Sequence, residues 1–274
     1  MEIGKKYYKC ALISNLPFFR THDLDEIVEC DSCGISVHEG CYGIVADDSD
    51  IESVHSDISS DPTEPWFCDA CKAGVKSPAC EMCPNTGGIF KQTDVGRWVH
   101  IVCCLYTHGV AFSDTIHLTG ITLFELPYDR WGSKACALCE DERLCRTGFT
   151  VSCDAGMCKS HFHVTCAQRE GMHIIIPSHG FIVFLSSGLL QEAQNMEETE
   201  LVDPLYAHCK MHVGDKQAAK AKRRNWLALQ SRLRERRELN EPLSERNQKK
   251  LIKAREKYFI KINSMPKPHR KYIV

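Results

Sequence analysis

The chain has 274 residues, of which 17 are Cys and 13 are His, and a formal net charge of -2. So much cysteine marks either a disulfide scaffold or a set of metal sites. The odd cysteine count, and the lack of an apolar leader run in MEIGKKYYKC, argue against a secreted disulfide protein and for zinc. The near-neutral total hides an asymmetry. Residues 216–274 hold 19 Lys/Arg and 5 Asp/Glu, whereas residues 1–215 hold 15 and 31. An acidic, cysteine-rich body is therefore joined to a basic tail. The first suits a cationic partner and the second suits phosphates.

Taken in chain order, residues 1–22 carry only Cys10 and His22 as candidate ligands, at no metal-binding spacing. DEIVEC (25–30) reads as a short strand with Ile27 and Val28 apolar. Three ligand pairs follow, Cys30/Cys33, His38/Cys41 and Cys68/Cys71, the last two separated by an acidic, serine-rich loop across 42–64. Side chains three residues apart reach one metal from a tight turn, and a tetrahedral zinc needs two such pairs. Cys80/Cys83 and His100/Cys103 would close a single site. Cys136/Cys139, Cys153/Cys158, His163/Cys166 and Cys209/His212 then form an interleaved set. Its first and third pairs share one zinc and its second and fourth another. Chance placement of the chain's Cys and His would give only about three pairs at this spacing, against the eight found here. Cys104, Cys145 and His161 fall outside the pattern. Cys104 reads as a small buried hydrophobe, and Trp66, Trp98 and Trp131 read as packing residues.

The last interleaved set resembles an extended PHD finger. Cys80/Cys83/His100/Cys103, with Trp98 in GRWVHIVCCLY, resembles the zinc knuckle of PHD–knuckle–extended-PHD chromatin modules. Cys30 to Cys71, with Trp66 two residues before Cys68, resembles the last six ligands of a PHD finger. The resemblance implies a small zinc-stabilised α+β fold, with tandem cross-brace PHD-type fingers joined by a zinc knuckle and followed by basic helices. Its divisions are an atypical segment (1–22), a partial PHD finger (23–74), the knuckle and linker (75–132), an extended PHD finger (133–214) and a basic helical tail (215–274). Two stretches depart from the family pattern. Residues 1–22 lack the C-x-x-C pair that would join His38 and Cys41, and 172–188 insert an apolar run into the extended finger. Four zinc ions are therefore expected, with a fifth site missing its first ligand pair.

The resemblance further implies a nuclear reader of the unmodified histone H3 tail. The tail would add as a strand on the edge at 25–30. Asp25, Glu26, Glu29 and Asp31 would meet its Lys and Arg, and carbonyls at Glu64 and Pro65 its amino terminus. No aromatic cage for methyl-lysine stands on this strand. In the tail, Trp226, Leu229, Leu233 and Leu239 form an apolar helical stripe expected to pack on the extended finger. Pro242 ends that helix and Ser244 caps the next. The basic faces are expected to meet nucleosomal DNA. Closed four-ligand sites leave no open position for catalytic water, so no enzyme activity, small-molecule substrate or membrane span is expected. A nucleic-acid-binding finger protein and a RING-like ubiquitin ligase are the alternatives. The histidine in fifth place and Trp66 argue against the ligase.

Overall fold

A computed structural model describes residues 27–44, 64–171, 174–175, 206–212, 216–239 and 241–264. Among these residues the strands form five separate two-stranded antiparallel sheets. Strands this short bury little by themselves, so the folding force has to come from elsewhere.

The first finger is built from β1 (Ile27–Glu29) paired with β2 (Ser36–His38), then α1 (Glu39–Tyr42) and α2 (Asp69–Lys72). The knuckle follows as β3 (Phe90–Gln92), β4 (Trp98–His100) and α3 (Ile101–Leu105), with β5 (Ala111–Asp114) and β6 (Thr119–Thr122) as a second hairpin. In the extended finger β7 (Val151–Ser152) pairs with β8 (His161–Phe162), and α4 (Val164–Arg169) follows. Strand β9 (Ile174–Ile175) pairs with β10 (Tyr206–Ala207). The stretch at 172–188 thus begins by contributing a strand to the finger; its remaining residues lie outside those described.

Two long helices complete the described chain, α5 (Lys216–Leu239) and α6 (Glu245–Ser264). Ser244 caps α6, its hydroxyl accepting from the Asn247 backbone N–H at 3.2 Å. The apolar stripe of α5 lands only in part where the sequence suggests. Leu229 and Leu233 are buried in one core with Cys30, Ile35, Val37 and Phe67, so they pack on the first finger. The N-terminal half of α5 meets the extended finger, where Arg223 pairs with Glu170 and Trp226 lines a small cavity with Thr165 and Gln168. Gly171 ends α4 at φ +68°, and a Cβ there would stand 2.1 Å from the Ala219 carbonyl oxygen, so glycine permits the close crossing. Leu239, at the far end of the stripe, is 71% exposed. Among the described residues no helix is long and apolar enough to cross a membrane.

A second core runs from the knuckle into the extended finger, joining Phe90, Val99 and Val102 to Phe149, Phe162 and Val164. Trp98 touches both cores. Trp66 meets Tyr42 edge-on at 5.2 Å between ring centres, and Trp131 meets Phe149 at 5.9 Å. All three tryptophans pack against other side chains.

Candidate metal centres and the acidic face of the first finger

Four clusters of Cys and His side chains have ligand atoms within 4.8 Å of one another: Cys30/Cys33/Cys68/Cys71, Cys80/Cys83/His100/Cys103, Cys136/Cys139/His163/Cys166 and Cys153/Cys158/Cys209/His212. A tetrahedron with zinc–sulfur bonds of about 2.3 Å has S···S edges of about 3.8 Å and S···N edges slightly shorter. The clusters have that size. Cys33 Sγ lies 3.8 Å from Cys68 Sγ, and Cys158 Sγ lies 3.8 Å from Cys209 Sγ. The histidine Nδ1 atoms stand 3.3 Å from Cys83, 3.3 Å from Cys139 and 3.5 Å from Cys153.

The local fold explains why each side chain arrives there. In the knuckle and the extended finger a strand ends next to a histidine, and that histidine precedes a short helix carrying the partner cysteine in its first turn. His100 and Cys103 do this before and within α3, and His163 and Cys166 before and within α4. Neither ring caps its helix; each turns its Nδ1 toward the thiols. The opposite nitrogen donates to a carbonyl, His100 Nε2 to Gly87 at 2.8 Å and His163 Nε2 to Thr147 at 2.6 Å. That bond places the proton on Nε2 and leaves Nδ1 as the metal-binding atom. Backbone N–H groups donate to the thiols as well, Cys68 to Cys30 at 3.3 Å and Cys209 to Cys153 at 3.2 Å. Such bonds stabilise thiolate over thiol.

The donor chemistry calls for a cation. Cys136 is drawn down to about 3, chiefly by its hydrogen bond with Cys166 and less by His163. Burial and then the neighbouring Cys136 charge push Cys139 up to about 12. One thiol thus takes the charge at the expense of its neighbours. A bound dication removes that conflict and lets every thiol ionise. Each complete cluster supplies four protein ligands, the closed pattern of structural zinc, and the four clusters fit that metal.

His38 and Cys41 sit differently. Their Nδ1 and Sγ atoms are 3.9 Å apart, the same separation as in His100/Cys103, and His38 precedes α1 as His100 precedes α3. Half a site is therefore shaped, but among the described residues no second pair closes it. Cys10 and His22 lie outside those residues. Cys104, Cys145 and His161 belong to no cluster. Cys104 is buried, and burial raises its thiol well above the ordinary value.

The first finger has a buried ion pair that no sequence spacing announces. Asp69 lies 3.2 Å from Lys91 of the knuckle and 3.5 Å from Lys72. Burial works to raise the Asp69 carboxyl, but Lys91 and Lys72 outweigh it and hold the group below its ordinary range. Lys91 also stands 4.1 Å from the centre of the Tyr42 ring and donates to the His117 carbonyl at 3.1 Å. Tyr42 in turn accepts from the Asp69 backbone N–H at 2.8 Å. The knuckle is coupled to the other finger too, for Asn85 donates to Cys166 Sγ at 3.2 Å and to Thr165 at 2.7 Å.

Of the residues expected to meet a basic tail, Asp25 and Glu26 lie outside those described. Glu29 ends β1, and Glu64 is exposed at the start of the segment leading into α2. Asp31 has a structural task, because its Oδ2 accepts from the Trp66 backbone N–H at 2.9 Å while its own N–H donates to the Trp66 carbonyl at 2.9 Å. It thereby ties the C-x-x-C turn to the Pro65–Trp66 segment. Nothing in the sequence shows that α5 and α6 reach this face. Arg236 nevertheless pairs with Glu29 and Lys250 with Glu64.

Short hairpins and helices gathered around four Cys/His tetrads, two of them interleaved, define a tandem zinc-finger protein. The chain belongs to the PHD-finger family of zinc-binding proteins, with residues 17–71 matching the PHD-finger and residues 78–212 the PHD-zinc-finger like domain. It is similar to human PHD finger protein 14, being 53% identical over 211 residues that make up 77% of this chain and 20% of that relative. Human protein AF-17 is 37% identical over 153 residues, 53% of this chain and 13% of that protein. The chain thus spans about a fifth or less of the length of these curated relatives. The crystal structure of zebrafish PHF14-PZP superposes with a TM-score of 0.60 at 46% identity, covering 81% of this chain and 96% of that one.

Proposed function

We propose that this chain is a nuclear chromatin reader that binds the unmodified N-terminal tail of histone H3 on its first finger. In this reading Cys30, Cys33, Cys68 and Cys71, and the other three tetrads, ligate structural zinc, and the protein binds without catalysing a reaction. The observation that carries the proposal is the state of β1. Among the described residues β1 pairs with β2 alone, and its far end carries Glu29. An edge strand offers backbone donors and acceptors to an incoming peptide, and nearby carboxylates select Lys and Arg. The carboxylates at Glu29, Asp31 and Glu64 suit an unmodified ammonium. Tyr42, the aromatic that meets Trp66, is buried and offers no open cage for a methylated one.

Calorimetric titration with unmodified and lysine-methylated histone H3 peptides tests this reading. The expected result is binding of the unmodified peptide, weakened several-fold by methylation and by Glu29→Ala. A protein that binds neither peptide, but binds duplex DNA in a salt-sensitive way, would instead support the nucleic-acid reading. The exposed arginines and lysines along α5 and α6 are the observation in favour of that second reading.

A further inference from the structure

The acidic face just described is already occupied by the chain's own C-terminal helices. Arg236 Nη1 donates to Glu29 Oε1 at 2.5 Å. Its side chain passes against Gly34, where an added Cβ would stand 2.5 Å from Nη1. Asn247 Nδ2 donates to Asp31 Oδ1 at 3.4 Å, and Lys250 Nζ donates to Glu64 Oε1. Each described carboxylate that suits a cationic tail therefore holds a donor from α5 or α6.

Exposed ion pairs of this kind are weak individually. What makes them effective is that the donors cannot diffuse away. Leu229 and Leu233 bury one helix against the first finger. Arg255 of the other donates to the Lys72 carbonyl at 3.1 Å, and Tyr258 donates to Gln92 at 2.9 Å. Anchored in this way, Arg236, Asn247 and Lys250 face the acids at a high effective concentration. The charge asymmetry of the chain is thus satisfied partly within one molecule.

We propose that α5 and α6 form a built-in competitor for the cationic ligand of the first finger. An incoming peptide gains Glu29, Asp31 and Glu64 only by displacing the side chains of Arg236, Asn247 and Lys250, while the helices stay anchored through their apolar and carbonyl contacts. The consequence is selectivity. A peptide with scattered basic residues does not outcompete the tethered set, whereas one that presents an ammonium and a guanidinium at matching positions does. This inference rests on the first finger being the tail-binding site.

The test is a titration of the whole chain and of its Arg236→Ala/Lys250→Ala double variant with the unmodified histone H3 peptide. Both replaced side chains are exposed, and an unchanged melting temperature and zinc content verify that the variant is folded. Removing two exposed pairs is expected to tighten binding about threefold to tenfold. An equal or weaker affinity in the variant overturns the competitor while leaving the tail-binding reading intact. Absence of binding by both proteins overturns both.

Discussion

The first finger and the extended finger use one motif and are held together by different means. The extended finger closes two interleaved tetrads, Cys136/Cys139/His163/Cys166 and Cys153/Cys158/Cys209/His212. Among the described residues the first finger closes Cys30/Cys33/Cys68/Cys71 and has a shaped half-site at His38 and Cys41. Contacts from other parts of the chain also brace the first finger. Leu229 and Leu233 of α5 enter the core of the first finger, and the Asp69–Lys91 pair ties it to the knuckle. A small domain needs cross-links because its apolar core is too small to offset chain entropy. Packed helices and a buried ion pair thus add to what the tetrad contributes in the first finger.

The largest effect is expected from removing one ligand of the extended finger. His163→Ala opens a tetrad in which the side chain is fully buried. Structural zinc contributes on the order of 10 kcal/mol to folding, so the extended finger is expected to lose one ion and its cooperative melting. Native mass spectrometry and calorimetry would register both losses. A variant that kept the ion and the transition would show that the tetrad is not a metal site.

A smaller effect is expected at the buried ion pair. Asp69→Ala leaves Lys91, itself 4% exposed, without its carboxylate. Stranding a buried charge costs about 3–5 kcal/mol. The unfolding free energy from chemical denaturation, followed by tryptophan fluorescence, should therefore fall by that amount, with the zinc count unchanged. A shift below about 1 kcal/mol would mean that the pair behaves like an exposed one and that the first finger is supported by other contacts.

The ligand groupings were legible from sequence because each pair is local, and because order along the chain dictates which pairs a cross-brace joins. The cap at Ser244 was legible for the same reason: the helix start is written in adjacent residues. The resting place of the C-terminal helices was not. A Leu stripe shows that a helix has a buried face and leaves open what that face meets; Leu229 and Leu233 lie on the first finger, about 190 residues downstream of Val37 in its core. The charge asymmetry leaves open how much of it is satisfied within the chain: Arg236–Glu29 and Lys250–Glu64 are contacts between basic tail and acidic body that composition alone does not reveal. Asp69 and Lys91 share no motif, and only the folded arrangement brings them together.

The most direct measurement of the account is the zinc content of the whole chain by native mass spectrometry, before and after Cys41→Ala. Four complete tetrads predict four ions in both proteins. Fewer than four would contradict the assignment of the tetrads. Five ions, falling to four in the variant, would show that His38 and Cys41 close a site and that the first finger relies on the same metal framework as its neighbour.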